Sequence, residues 1–350
     1  MKNTVAVAMS GGVDSSVSAF LLKQDGYNVI GISMLMPYQD EDQRHAFIQN
    51  VNSVSLCLDI PIHFIDIKDE FEDKVVSYFC SEYSNGRTPN PCIVCNKSIK
   101  FGVLLNIAKE LACGCIATGH YANVEYNQEK DRFILKKGID AKKDQSYFLF
   151  SLSQEQLSHV IFPLGKYTKQ DVREIAEKNN IPVFNNKESQ EICFIPDNDY
   201  IKFLEDKHIN KGFNNGNIVY KDGTKAGIHN GIAKYTIGQR KGIGAHQKKH
   251  YVVRINSADN TIIIDEEQGL MSDECVVSVQ NMIVQEELKS ETKLKARIRY
   301  RHNEDNAKII PINDKKVKVI FDKPQRAITP GQSMVFYDGD IVAGGGVIDY

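Results

Sequence analysis

The string Ser10-Gly11-Gly12-Val13-Asp14-Ser15-Ser16 lies between an apolar run, TVAVAM, and a segment of helical spacing. Glycines let backbone N–H groups approach an anion closely. The first turn of a helix adds unpaired N–H groups and the positive end of its dipole. Ser10, Ser15 and Ser16 add hydroxyl donors, and phosphate is the anion that such a loop fits. Asp14 is out of place beside phosphate unless a divalent cation bridges them, which predicts a Mg²⁺ role for it. The string is not a GxxxxGK[ST] loop, since no lysine follows the glycines. A plain helix cap after a glycine turn would also use Asp and Ser. The full string, set between a strand and a helix, favours phosphate.

The second group with chemistry in it is cysteine. Gly86-Arg87-Thr88-Pro89-Asn90-Pro91-Cys92-Ile93-Val94-Cys95-Asn96-Lys97 has two prolines that hold an extended loop. The pattern predicts that a helix begins at Asn96, with Cys95 at its N-terminus. Lys97 and Lys100 follow closely, so a lowered thiol pKa is expected there. Cys193 stands in Ser189-Gln190-Glu191-Ile192-Cys193-Phe194, ahead of Pro196. Other chemistries compete for these thiols. Cys92-x₂-Cys95 with Cys113-x-Cys115 approaches zinc-ribbon spacing, but the residues between the pairs read as one helix, which would hold them far apart. A redox CxxC would need a thioredoxin-like unit, and none is visible. Cys57, Cys80 and Cys275 sit at apolar positions and read as core filler.

The elements that must position these groups follow from periodicity. Strand-like runs at TVAVAM, NVIGISM and IHFIDI alternate with helical patterns, and IKFGVLLNIAKEL precedes the run from Cys115 to Thr118. This order predicts an α/β fold with a parallel sheet covered by helices on both faces, whose ligands sit at the carboxyl ends of the strands. After about residue 200 glycine becomes frequent and helical spacing fades. From Val252 onward short alternating runs predict a small β-barrel or sandwich. Lys293, Lys295, Arg297, Arg299 and Arg301 alternate with Leu294, Ala296, Ile298 and Tyr300. In one strand, all five cations would share a face suited to a phosphate backbone. Arg240, Lys241, Lys248, Lys249 and Arg254 form a second basic run.

Composition bounds the rest. The chain has 350 residues, 42% hydrophobic, with a net charge of −2, so any nucleic-acid binding must come from such local patches. No apolar stretch approaches the ~18 residues of a membrane span, and no signal-type segment opens the chain. These features predict a cytoplasmic protein without a membrane partner, whose eight cysteines stay reduced.

SGGVDSS resembles the signature of the ATP pyrophosphatase superfamily, which cleaves ATP to AMP and pyrophosphate while adenylating a substrate oxygen. With GRTPNPC-x-x-CNKSIKFG, ATGHYA, KDQSYFL, SQEICFI, TIGQRKG and TPGQSMVFY, in this order, the chain resembles the bacterial and organellar tRNA-specific 2-thiouridylases, the MnmA/TrmU family, over nearly its whole length. The resemblance implies three domains: an ATP pyrophosphatase domain over 1–203, a small central β-rich, tRNA-binding domain over 204–265 and a C-terminal β-barrel over 266–350. It implies that ATP binds Ala8, Met9, Ser10, Gly11, Gly12, Val13, Asp14, Ser15, Met34 and Gly119. It implies further that the uridine O2 is adenylated, that Cys193 carries sulfur as a persulfide, and that Cys95 is the nucleophile that forms a disulfide with it as sulfur is released. Asn90, Pro91, Cys92, His120, Lys143, Asp144, Gln145, Arg299, Tyr300 and Gln332 match tRNA-contacting positions. The implied product is 2-thiouridine at the wobble position of tRNAs for Lys, Glu and Gln. The sulfur donor would be a cysteine desulfurase, a sulfur-relay protein or hydrosulfide. Many members carry Asp where this chain has Cys92. Cys92, Cys95 and Cys193 are therefore also candidates for three corners of a [4Fe–4S] cluster. Two other classes compete with this reading. Another ATP pyrophosphatase making an amide or amidine would not need paired cysteines. A non-catalytic RNA-binding protein would not need an intact SGGVDSS.

Overall fold

The computed structural model describes residues 4–182 and 192–349. Ser189, Gln190 and Glu191 lie outside the described residues. The chain divides into two compact units. The first holds Met1–Val75, Cys92–Ile195 and Asp340–Val342, and the second holds Val76–Pro91, Pro196–Gly339 and Ala343–Tyr350.

The first unit is built on a parallel sheet of β1 (Thr4–Ala8), β2 (Asn28–Leu35), β3 (Ile62–Asp66), β4 (Cys115–Ala117) and, after a hairpin of β5 (Ala122–Asn127) and β6 (Arg132–Lys137), β7 (Val160–Ile161). The order is β3-β2-β1-β4-β7. The central strand β1 is flanked on both sides by parallel partners, with Val5 opposite both Val29 and Cys115. Val5, Ala6 and Val7 are fully buried, as expected for a strand covered by helices on both faces. Helix Val13–Gln24 packs Val13, Val17 and Leu22 into that core. Helix Glu41–Leu58 is started by the Asp40 carboxylate, which accepts from the Gln43 N–H at 2.7 Å, and adds Val51, Val54 and Leu58. The β5–β6 hairpin was not foreseen from periodicity. Its strands are short, six residues each.

The second unit contains two β cores. Strands β8 (Gly216–Tyr220), β9 (Lys225–His229), β10 (Tyr251–Asn256) and β11 (Thr261–Asp265) form a sheet of order β10-β11-β8-β9 around Ile218, Tyr235, Val252, Ile255, Ile262 and Ile264. Strands β12 (Met271–Met282), β13 (Thr292–Arg297), β14 (Asp305–Asn313), β15 (Lys316–Arg326), β16 (Ser333–Asp338) and β17 (Ile341–Ile348) run in the order β12-β15-β14-β13-β16-β17, and β12–β17 pairing closes the barrel. Closure needs close approach. A Cβ on Gly346 would stand 2.1 Å from the Ser278 carbonyl oxygen.

The basic stripe is shorter than its spacing predicted. Strand β13 ends at Arg297, and Arg299 and Tyr300 lie in the turn beyond it. Lys293 and Lys295 are exposed and share the predicted face. The Arg297 Nε donates to the His302 carbonyl at 2.9 Å and its guanidinium stacks over Tyr300 at 5.5 Å. A turn held by its own arginine interrupts the alternation.

Candidate functional site

The phosphate loop connects β1 to helix Val13–Gln24. Gly11 adopts φ +69°, a conformation that favours glycine. The Ser10 N–H donates to Ser15 Oγ at 3.2 Å, and the hydroxyls of Ser15 and Ser16 donate to the Gly12 carbonyl at 3.1 and 2.9 Å. Gly12 caps the helix without a side-chain hydrogen bond, which leaves the first-turn N–H groups to an incoming anion. Gly119, in the turn after β4, completes the cradle. A Cβ there would stand 2.8 Å from the backbone and Cβ of Asp14. These residues fit a nucleotide's phosphates. Met34, at the end of β2, is half-buried.

Asp14 is already engaged. Its Oδ1 accepts from Tyr121 Oη at 2.7 Å, and Lys169 Nζ binds both carboxylate oxygens at 2.7 and 2.8 Å. Lys169 is buried. The sequence reading missed both Lys169 and Tyr121, because neither lies near the loop in the chain.

The thiols stand on a different kind of scaffold. The helix begins at Pro91, not at Asn96, so Cys92 occupies its first turn and Cys95 its end. A π-helical segment, Asn96–Val103, follows directly and then an α-helix, Leu104–Glu110. A wide turn of this type misaligns backbone carbonyls and recurs at functional sites. Here one side chain repairs it, as Gln156 Nε2 donates to the carbonyls of Lys97 at 2.8 Å and Phe101 at 2.7 Å. The Cys193 turn is anchored by Phe194, buried edge-on against Phe71 at 5.4 Å.

The expected low pKa of Cys95 is not met. Burial pushes this thiol up to about 12, with Lys100 pulling down and Cys193 and Cys92 adding to the rise. Cys193 is pushed up to about 11 and Cys92 upward, each mainly by loss of surrounding water, with Lys100 opposing in both. Cys92 and Cys193 still touch solvent, whereas Cys95 is buried. Desolvation thus outweighs one ammonium, and the helix N-terminus expected to help lies four residues upstream. The mutual influence of the three thiols places them in one electrostatic neighbourhood. Among the described residues, no group of three or more His, Cys, Asp or Glu is placed to hold a metal. Of the cysteines read as core filler, Cys80 is buried and Cys275 half-buried, but Cys57 is exposed.

The remaining expected positions fall into two groups. In the first unit, His120 is buried, its Nδ1 2.7 Å from Thr118 Oγ1. Burial, with Lys100 second, holds its pKa well below the usual histidine range, so the ring is neutral at pH 7. Asp144 is also buried, accepting from the N–H groups of Gly138 and Ser146 and from Ser146 Oγ. Gln145 Oε1 accepts from the Tyr121 N–H at 3.1 Å. Lys143 is half-buried. In the second unit, Gln332 Nε2 donates to the Thr88 carbonyl at 2.9 Å, and the Thr88 N–H donates to the Pro330 carbonyl at 2.9 Å. The loop that carries Asn90 and Pro91 is thereby tied to the turn before β16. Arg240, Lys241, Lys248, Lys249 and Arg254 are all exposed.

Known proteins resemble this chain along its length. Three family models match in succession: a tRNA methyl transferase HUP domain over residues 3–197, a tRNA methyl transferase PRC-barrel domain over 201–266 and an aminomethyltransferase β-barrel domain over 272–348. A tRNA-specific 2-thiouridylase MnmA 1 of Caldanaerobacter subterraneus subsp. tengcongensis is 49% identical, with 100% of this chain and 98% of that protein covered. A tRNA-specific 2-thiouridylase MnmA 2 of Clostridium botulinum is 47% identical, with 99% of each covered. The MnmA protein of Acetivibrio thermocellus is 46% identical, again with 99% of each covered.

Proposed function

The chain belongs to the MnmA family of tRNA-specific 2-thiouridylases, and from that premise we propose that it is an ATP-dependent sulfurtransferase making 2-thiouridine at the wobble position of tRNAs for Lys, Glu and Gln. One observation carries the chemical reading: a phosphate-binding loop and three mutually influencing thiols are built into the same folded unit.

The uridine O2 attacks the α-phosphorus of ATP bound over Ala8–Ser15, with Met34 and Gly119 beside the nucleotide. Pyrophosphate leaves, and O2 becomes part of a leaving group, AMP; a Mg²⁺ held near Asp14 would supply charge to the departing pyrophosphate. A donor such as a cysteine desulfurase or relay protein first loads Cys193 as a persulfide. Its terminal sulfur forms the bond to C2, and the C2–O2 bond breaks with release of AMP. The Cys95 thiolate then attacks Sγ of Cys193. The S–S bond to the transferred sulfur breaks, leaving 2-thiouridine and a Cys95–Cys193 disulfide, which an external thiol reductant returns to two thiols. Neutral, buried His120 and the loop of Asn90, Pro91 and Cys92 are assigned to the target nucleotide. Lys143, Asp144, Gln145, Arg299, Tyr300 and Gln332 are assigned to tRNA, Asp144 through the turn that it organises. No helix among the described residues is long and apolar enough to cross a membrane; the place assigned to the protein, beside its tRNA substrate, is the cytoplasm.

Nucleoside analysis of tRNA from cells lacking this protein tests the reading: wobble 2-thiouridine should be lost and return with the gene. Normal 2-thiouridine in those cells would reject it. Iron and sulfide analysis of anaerobically prepared protein separates the persulfide route from a cluster route. Iron bound in stoichiometric amount through Cys92, Cys95 and Cys193, with hydrosulfide as donor, would replace the persulfide steps.

A further inference from the structure

A carboxylate in the first turn of a phosphate-binding helix repels the ligand that the loop is built for. A divalent cation is one remedy. The geometry around Asp14 supplies another from the chain itself. Lys169 is the first residue of helix Lys169–Lys178, a position where a cation is disfavoured by the helix dipole. It is also buried, which costs a lysine its hydration. Both penalties are met by one contact, in which the ammonium spans the two Asp14 oxygens at 2.7 and 2.8 Å. Tyr121 Oη fixes the same carboxylate at 2.7 Å. The helix itself is started independently, since Thr168 and Asp171 form a reciprocal capping box. Lys169 is thus not needed to begin the helix.

We propose that Lys169 is a positioning residue that neutralises Asp14, so that the phosphate loop accepts the ATP polyphosphate without a metal bridging the carboxylate. This rests on the reading that the loop binds ATP. Lys169 does the electrostatic work of the lysine that follows the glycines in GxxxxGK[ST] loops, but acts through Asp14. Tyr121 and the turn after β4, where Gly119 lies against Asp14, keep the pair in place.

Equilibrium dialysis of ATP in excess EDTA, on the full chain, reads the compensation without magnesium. Lys169→Met should weaken ATP binding roughly 10- to 100-fold, the scale of one uncompensated charge a few ångströms from phosphate. Asp14→Asn should bind metal-free ATP at least as tightly as wild type. The double variant Asp14→Asn/Lys169→Met, which leaves no unpaired buried charge even if Lys169→Met folds poorly, should return to within about threefold of wild type. That rescue is what a merely structural lysine would not give. Wild-type affinity in a folded Lys169→Met protein overturns the inference. So does a double variant well below wild type, which would mean that Lys169 meets phosphate directly. If the wild-type protein binds no ATP even with magnesium, the phosphate-loop reading itself fails, and the inference falls with it.

Discussion

The phosphate loop and the thiol group share one folded unit but are prepared in opposite ways. Both oxygens of the Asp14 carboxylate have partners, and the loop's shape is fixed by Gly11, by serine hydroxyls and by a buried ammonium. Around Cys95 the protein withholds water and leaves one lysine to oppose the consequence. The first arrangement is ready for its ligand before it arrives. The second keeps sulfur protonated and quiet. For an enzyme handling a reactive sulfur atom this difference has a use, because a thiolate exposed at rest invites oxidation.

The sharpest test of this contrast separates the two halves. Cys193→Ala and Cys95→Ala should each lower single-turnover 2-thiouridine formation by at least about a thousandfold, since no other side chain replaces sulfur in the transfer. ATP affinity should stay within about twofold. Robust product from Cys95→Ala would remove its assignment as nucleophile.

Asp14→Asn acts on the other half. It should slow AMP and pyrophosphate formation with tRNA by roughly tenfold to a hundredfold, because the Lys169 ammonium loses its carboxylate partner and shifts the bound polyphosphate, while the fold persists. Unchanged AMP formation would show that Asp14 does not position the polyphosphate.

The resting state of the thiols is read by pH. A raised pKa means neutral thiol below it and thiolate above it. Alkylation of Cys95 and Cys193 by iodoacetamide, followed by peptide mass spectrometry, should climb about tenfold per unit between pH 8 and pH 10. The midpoints should lie near about 12 and about 11. A plateau below pH 8 in the free protein would erase the contrast.

The smallest effect is expected in the second unit. Lys293→Ala with Lys295→Ala removes two exposed cations from β13. The slope of log affinity for tRNA against log salt should flatten by about 1.5 to 2 units, with ATP binding unchanged. Identical tRNA affinity at two salt concentrations would clear this face of RNA contact.

Much of the fold is legible in local pattern. The runs TVAVAM and NVIGISM declare buried parallel strands, because apolar side chains on successive residues leave neither face to water, whereas IHFIDI, also expected to be buried, forms the edge strand β3 with His63 and Asp66 exposed. The alternation past Val252 declares β structure in the same way. The pattern failed where a turn's own contacts override it, as at Arg297, and where a helix starts earlier than its apolar periodicity, as at Pro91.

The sequence by itself determined which chemistry is available: the phosphate loop is one contiguous string, and Cys92 and Cys95 lie within one turn of each other. Tertiary structure alone decided the state of those groups. Lys169 is 155 positions from Asp14, and Gln156 is 55 from the Phe101 carbonyl that it caps. Whether Cys95 is thiol or thiolate depends on a balance between desolvation and the charge of Lys100. That balance is a property of everything packed around the sulfur, and no stretch of sequence contains it.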